Sequence, residues 1–123
     1  MSDILESRIL ASIKKLLGPE EDYNHFDPDI AIHINSEFNR LYQLGLKQAK
    51  GFRIVDGFEE WKDLFGPDDE IIDMVKSLIY LKVKLKFDPP SSSVLIDMFK
   101  EEIDKLEWSV NIWIEENEDG EQE

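Results

Sequence analysis

His33 stands four residues after Asp29 and four before Glu37, so on a helix all three share one face. An imidazole between two carboxylates has the donor chemistry of a metal site. The chain offers no further paired ligand motif, however, and this spacing reads as a solvated helix face. Glu60/Asp63 and Glu101/Asp104 are acid pairs three residues apart, a spacing that can hold magnesium. In a chain with 28 acidic residues such spacings also arise by chance. His25 falls in a loop. There is no cysteine, which removes a thiol nucleophile, a thiolate zinc site and a disulfide framework. No glycine-rich phosphate loop and no nucleophile motif occurs. The expectation is a protein without catalytic residues, cofactor or metal, and not an enzyme.

The residues that remain suit recognition better than catalysis. Arg53, Lys82, Lys84 and Lys86 form the one notable basic cluster, either ordinary surface side chains or one half of an acidic–basic contact between identical subunits. Trp61 and Trp108 read as core anchors. Trp108, Val110, Ile112, Trp113 and Ile114 put much apolar surface just before a polar end, more than one terminal segment usually buries in its own small domain. Trp113, beside the charged tail, is placed where an aromatic marks an interface.

The net charge is −14, from 28 acids against 14 bases. Six of those acids, and no base, lie in the last nine residues, so the remainder still carries −8. Such a surface disfavours nonspecific binding to nucleic acid, which needs cations to neutralise phosphates. No run reaches the roughly 18 apolar residues of a membrane span, so no membrane partner is expected. The acidic, amphipathic start is unlike a secretory signal, and the lack of cysteine fits a reducing cytoplasm.

These groups must be positioned by helices. The spacing predicts a first helix from Ile4 to Leu17, with Asp3 and Glu6 at capping-box spacing and Leu5, Ile9, Ile13 and Leu16 as its buried stripe. Gly18-Pro19 ends it, and an acidic loop runs from Pro19 to Phe26. Asp27-Pro28 opens a second helix with Ile30, Ile34, Phe38 and Leu41 inward. Residues 52–55, between Gly51 and Gly57, form the best extended candidate. Phe58, Trp61 and Phe65 sit at helical spacing before Gly66-Pro67, and Asp68 or Asp69 caps a long helix. That helix is apolar on nearly all sides, from Ile71 through Val75, Leu78 and Ile79 to Leu85, as a central helix is. Its end, Tyr80 to Phe87, alternates with the period of a strand. The apolar run upstream is too long for a strand, so helix is the expectation. Asp88-Pro89-Pro90 breaks it, and Ser91-Ser92-Ser93 can cap the next helix, whose stripe is Leu95, Met98/Phe99, Ile103 and Leu106. After Trp108 two patterns fit: a strand, or the same helix running on with Phe99, Ile103, Leu106, Val110 and Trp113 on one side. The predicted fold is all-α, a small bundle of about four helices with one short extended piece. Residues 1–114 make a single domain and 115–123 an acidic disordered tail.

The stretch LKVKLKFDPPSSSVLIDMFKEEIDKLEW resembles the C-terminal half of phage head–tail connector proteins, the adaptor or head-completion proteins that sit under the portal. Pro89-Pro90 followed by Ser91-Ser92, and Leu106-Glu107-Trp108, are its specific parts. Ile34-Asn35-Ser36, Leu44-Gly45 and Gly51-Phe52 resemble the family pattern further upstream, so the likeness extends from Ile4 to Trp113. The resemblance implies a structural virion protein made in the bacterial host cytoplasm. It implies a ring of about twelve copies at the head–tail junction, formed by head-to-tail contacts with closed symmetry. Its partners would be itself, the portal protein and a stopper or tail-completion protein. DNA would pass through the ring without specific binding, helped by like charge. Two other readings stand beside it: an acidic DNA mimic that inhibits a nucleic-acid-binding enzyme, and a magnesium-dependent all-α nucleotide pyrophosphohydrolase.

Overall fold

The computed structural model describes residues 7–18 and 24–121, with side chains as far as Asn117. These residues fold as α1 (Ile9–Leu17), α2 (Asp27–Gln43), a 3-10 turn (Lys47–Ala49), α3 (Trp61–Phe65), α4 (Asp69–Phe87) and α5 (Ser93–Glu121). The expected all-α bundle is present. Among the described residues, strand-like pairing is confined to an isolated antiparallel bridge between Arg8 and Glu60.

That bridge stands at the start of α1. Arg8 is extended (φ −82°, ψ 136°), and the Ile9 N–H donates to the Glu59 carbonyl at 2.9 Å, so α1 begins at Ile9. The expected start at Ile4, with Leu5 and the Asp3/Glu6 pair, lies outside the described residues, as does most of the acidic loop. Ile9 and Ile13 are fully buried, but Leu16 is exposed and Ser12 takes the inward place instead. Ser12 can be buried because its polar atoms are satisfied. The Trp61 indole N–H donates to its Oγ at 2.9 Å, and the hydroxyl donates to the Ile9 carbonyl at 2.9 Å. Trp61 is thus the core anchor the sequence indicated.

α4 is the central helix. It packs against α1, α2, α3 and α5, and buries Ile71, Val75, Leu78, Ile79 and Val83. With Ile30, Ile34, Phe38 and Leu41 from α2 these form one core, each such side chain contributing about 1.5–3 kcal/mol when fully buried. Leu85 is only half-buried, so the fully enclosed part of α4 ends at Val83. Asp68 caps α4 through its Oδ1, which accepts from the Ile71 N–H at 3.3 Å.

The extended piece near residues 52–55 has no strand neighbour among the described residues. Its partner is a side chain: Asn35 Oδ1 accepts from the Ile54 N–H at 2.7 Å, and Asn35 Nδ2 donates to the Ile54 carbonyl at 3.3 Å. One amide therefore supplies the donor and acceptor that an adjacent strand would supply.

The last helix resolves the open choice at residues 108–114 in favour of helix. Ser92 Oγ accepts from the Leu95 N–H at 3.3 Å, and α5 then runs 29 residues to Glu121, about 43 Å at 1.5 Å per residue. The helical backbone therefore continues past Ile114 into the segment expected to be a disordered tail. Asn117 Nδ2 donates to the Trp113 carbonyl at 2.8 Å along this stretch. Residues 122 and 123 lie outside the described part. The inner stripe is also rotated from the one expected. Leu95 and Met98 are exposed, while Phe99, Ile103 and Leu106 are half-buried and Val110 and Ile114 are buried.

Candidate functional site

The basic cluster is not free surface charge. Lys82 and Lys86 stand one turn apart on α4 and both reach Glu37 of α2: Lys82 Nζ to Oε1 at 2.8 Å, Lys86 Nζ to Oε2 at 3.1 Å. Glu37 is 3 % exposed, so a near-buried carboxylate is neutralised by two cations. Lys82 Nζ also meets Glu107 of α5 at 3.0 Å, and Arg40 Nε lies 3.7 Å from the same carboxylate. The network ties α2, α4 and α5 together. Burial pushes the Lys82 ammonium down, but hydrogen bonds and charge from Glu37 and then Glu107 outweigh it, and its pKa is raised above the ordinary 10.5. Lys84 points elsewhere, to Asp88 at 2.8 Å in the last turn. Arg53 is exposed in the loop after the 3-10 turn. The strand-like alternation of Tyr80 to Phe87 therefore has another origin: lysines one turn apart face Glu37 while Ile79 and Val83 face the core.

The residues with metal-like spacing are employed otherwise. Glu37 is held by the lysines, and the His33 ring packs edge-on to Phe87 with centroids 6.5 Å apart. Asp63 Oδ2 accepts from the Glu60 N–H at 2.9 Å, closing the first turn of α3. Glu101 and Asp104 are exposed on α5. Among the described residues no three metal-ligating side chains converge.

The C-terminal aromatic segment divides between core and surface. Val110 and Ile114 are buried in the chain's own core, which removes them from a set of surface contacts. Trp113 is half-buried: its indole N–H donates to Asp68 Oδ2 at 3.3 Å, and its ring meets Phe65 edge-on at 6.2 Å. Trp108, expected as an anchor, is 67 % exposed, and Ile112 is half-exposed on the same side. The reversal follows from the helix running on, since Val110, Trp113 and Ile114 face the core only in the helical register. Val94, Leu95 and Met98 join Trp108 as exposed apolar side chains on α5.

A second apolar surface lies on the loop before α3, and sequence reasoning missed it. Val55 and Phe58 are exposed there, with the Arg8 guanidinium 4.5 Å from the Phe58 ring. Glu59 gives the loop its shape. Its Oε2 accepts from the N–H groups of Val55 (2.9 Å) and Asp56 (3.3 Å), and its Oε1 from Gly57 (3.0 Å). Slight burial pushes the Glu59 carboxyl up, but those backbone donors outweigh it and hold it below the ordinary 4.5. The available signal was Glu59 two residues after Gly57, a carboxylate placed to gather the turn's orphan N–H groups.

A family model described as "Phage connector protein" matches residues 9–117, which covers α1 through most of α5. The chain belongs to the phage connector protein family. As a connector it is a structural component of the virion rather than a member of an enzyme family. No curated protein and no solved structure matches the connector chain. No helix among its described residues is long and apolar enough to cross a membrane.

Proposed function

We propose that this chain is the subunit of a ring, of about twelve copies, that joins the portal to a stopper or tail-completion protein. It would be made in the host cytoplasm and surround the DNA channel at the head–tail junction. The observation that carries this reading is a pair of unlike apolar surfaces on separate elements: Val55 and Phe58 on the loop before α3, and Val94, Met98 and Trp108 on α5. Head-to-tail contacts need two different patches per subunit, whereas a self-complementary contact needs one. The acidic balance of −14 supports passage of DNA without attachment, since like charge lowers attraction to phosphate.

The test uses purified heads carrying the portal, or an extract able to join heads to tails. Val55→Asp and Trp108→Asp are expected to keep the helical spectrum and a cooperative melt, yet to lose joining. Joining at the wild-type level by both variants would overturn the proposed surfaces. Portal-bearing heads that bind no wild-type protein, under conditions where heads and tails otherwise join, would overturn the ring itself.

A further inference from the structure

On the side of α5 opposite its buried stripe, Val94, Met98, Glu101, Lys105, Trp108 and Ile112 recur at alternating spacings of four and three residues. That is the seam of a two-helix coiled coil, with apolar side chains at both ends and one acid and one base at the middle. Val94 is 65 %, Met98 56 % and Trp108 67 % exposed; Glu101 and Lys105 are exposed and Ile112 half-exposed. The buried side of α5 carries Phe99, Ile103, Leu106 and Val110, so the bundle leaves this second seam uncovered. It spans 18 residue steps, about 27 Å.

We propose that the free protein pairs with a second copy of itself through this seam, with the two α5 helices antiparallel. The order of side chains is what selects the occupant. In the antiparallel register Val94 lies opposite Ile112 of the other copy, Met98 opposite Trp108, and Glu101 opposite Lys105, each pair occurring twice about a two-fold axis. Every position then meets a complement: aliphatic on aliphatic, thioether on indole, acid on base. A parallel pair would set Glu101 against Glu101 and Lys105 against Lys105, and like charges there are repulsive. Glu102 and Asp104 flank the seam and approach their own counterparts near the axis. Together with the −14 charge of each chain they oppose association, so added salt strengthens the pair. A two-fold contact closes on itself and occupies the α5 face. The pair therefore belongs to the unassembled protein and must open before that face can serve in a ring. The pairing does not depend on the proposed ring.

The experiment is sedimentation equilibrium of the free, full-length chain across concentration and salt. Wild type is expected to show a monomer–dimer equilibrium that shifts toward dimer with salt. Glu101→Lys and Lys105→Glu should each weaken self-association about tenfold or more, with an unchanged helical spectrum. A mixture of those two variants should form a heterodimer of wild-type strength, because each reversed charge then faces its opposite. The chain has no cysteine, so Met98→Cys mixed with Trp108→Cys reports register directly. A disulfide between the two variants is expected, and little between like copies. A wild type that stays monomeric at all concentrations and salts would overturn the proposal. So would a dimer indifferent to both reversals, or one that the mixture does not restore. No portal is present, so failure here leaves the connector reading intact, and a failure of head–tail joining leaves the pairing intact.

Discussion

Glu37 is the residue whose environment is most demanding. A carboxylate 3 % exposed, with Lys82 at 2.8 Å and Lys86 at 3.1 Å, is stable only while both cations stay. Glu37→Ala leaves two ammonium groups facing a vacated site, and is expected to cost about 2 kcal/mol in urea unfolding, below the full value for buried pairs because Lys86 reaches solvent. Lys82 has a folded pKa raised above 10.5, so its contribution is complete below that value and is lost as pH rises through the folded one. Unfolding midpoints should therefore fall at strongly alkaline pH in wild type, and less so in Lys82→Met. Glu59 works in the opposite sense. Its folded pKa lies below 4.5, so its contribution is present above that value and is lost as pH falls through the folded one. The backbone amide resonances of Val55, Asp56 and Gly57 should titrate together in that acid window and cease to do so in Glu59→Gln. Titration that persists in the variant would mean that the Glu59 carboxylate does not hold these amides.

At the scale of elements, α5 carries two jobs on two sides. Its inner side is locked to the bundle at its C-terminal half, where Ile114 meets the 3-10 connection. Gly45 has φ +115°, and a Cβ there would lie 3.3 Å from Ile114 Cγ2. Gly45→Ala is expected to destabilise by about 1–3 kcal/mol, from backbone strain and crowding together. Val110 is fully buried and Trp108 is largely exposed, so the two sides predict opposite outcomes. Val110→Ala should cost about 1–3 kcal/mol, while Trp108→Ala should stay within about 0.5 kcal/mol. Thermal or urea melts of the two variants check this. Equal losses would mean that Trp108 is packed after all.

For the whole molecule, the circular dichroism of the isolated chain should be strongly helical. A truncation after Asn117 should leave stability within about 0.5 kcal/mol, because Glu115, Glu116 and Asn117 are already exposed. A larger loss would show that the C-terminal acids contribute to the fold. The charge of −14 also governs assembly. Association of acidic subunits, whether in pairs or in a ring, is expected to strengthen with salt up to the point where the repulsion is screened.

The sequence by itself determined most of the helices, the breaks between them and the connector resemblance, but not how far the last helix runs. Apolar spacing, Gly18, Gly66 and Asp88-Pro89-Pro90 act locally, through backbone geometry within a turn or two. The Pro-Pro-Ser-Ser and Leu-Glu-Trp marks of the connector resemblance are equally local. What only the tertiary structure decided are matters of facing, which depend on groups far apart in the chain. Lys82 and Lys86 look like free surface charge until Glu37 arrives from another helix. Residues 52–55 look like a strand until the Asn35 amide takes the partner's place. Trp113 looks like a contact surface, and Trp108 like core, until the bundle selects which side of α5 it covers. A helix with apolar residues on two sides can bury either one, and its periodicity does not tell them apart. The packing of α4 against Ile103, Leu106 and Val110 makes that choice and leaves the other seam in water.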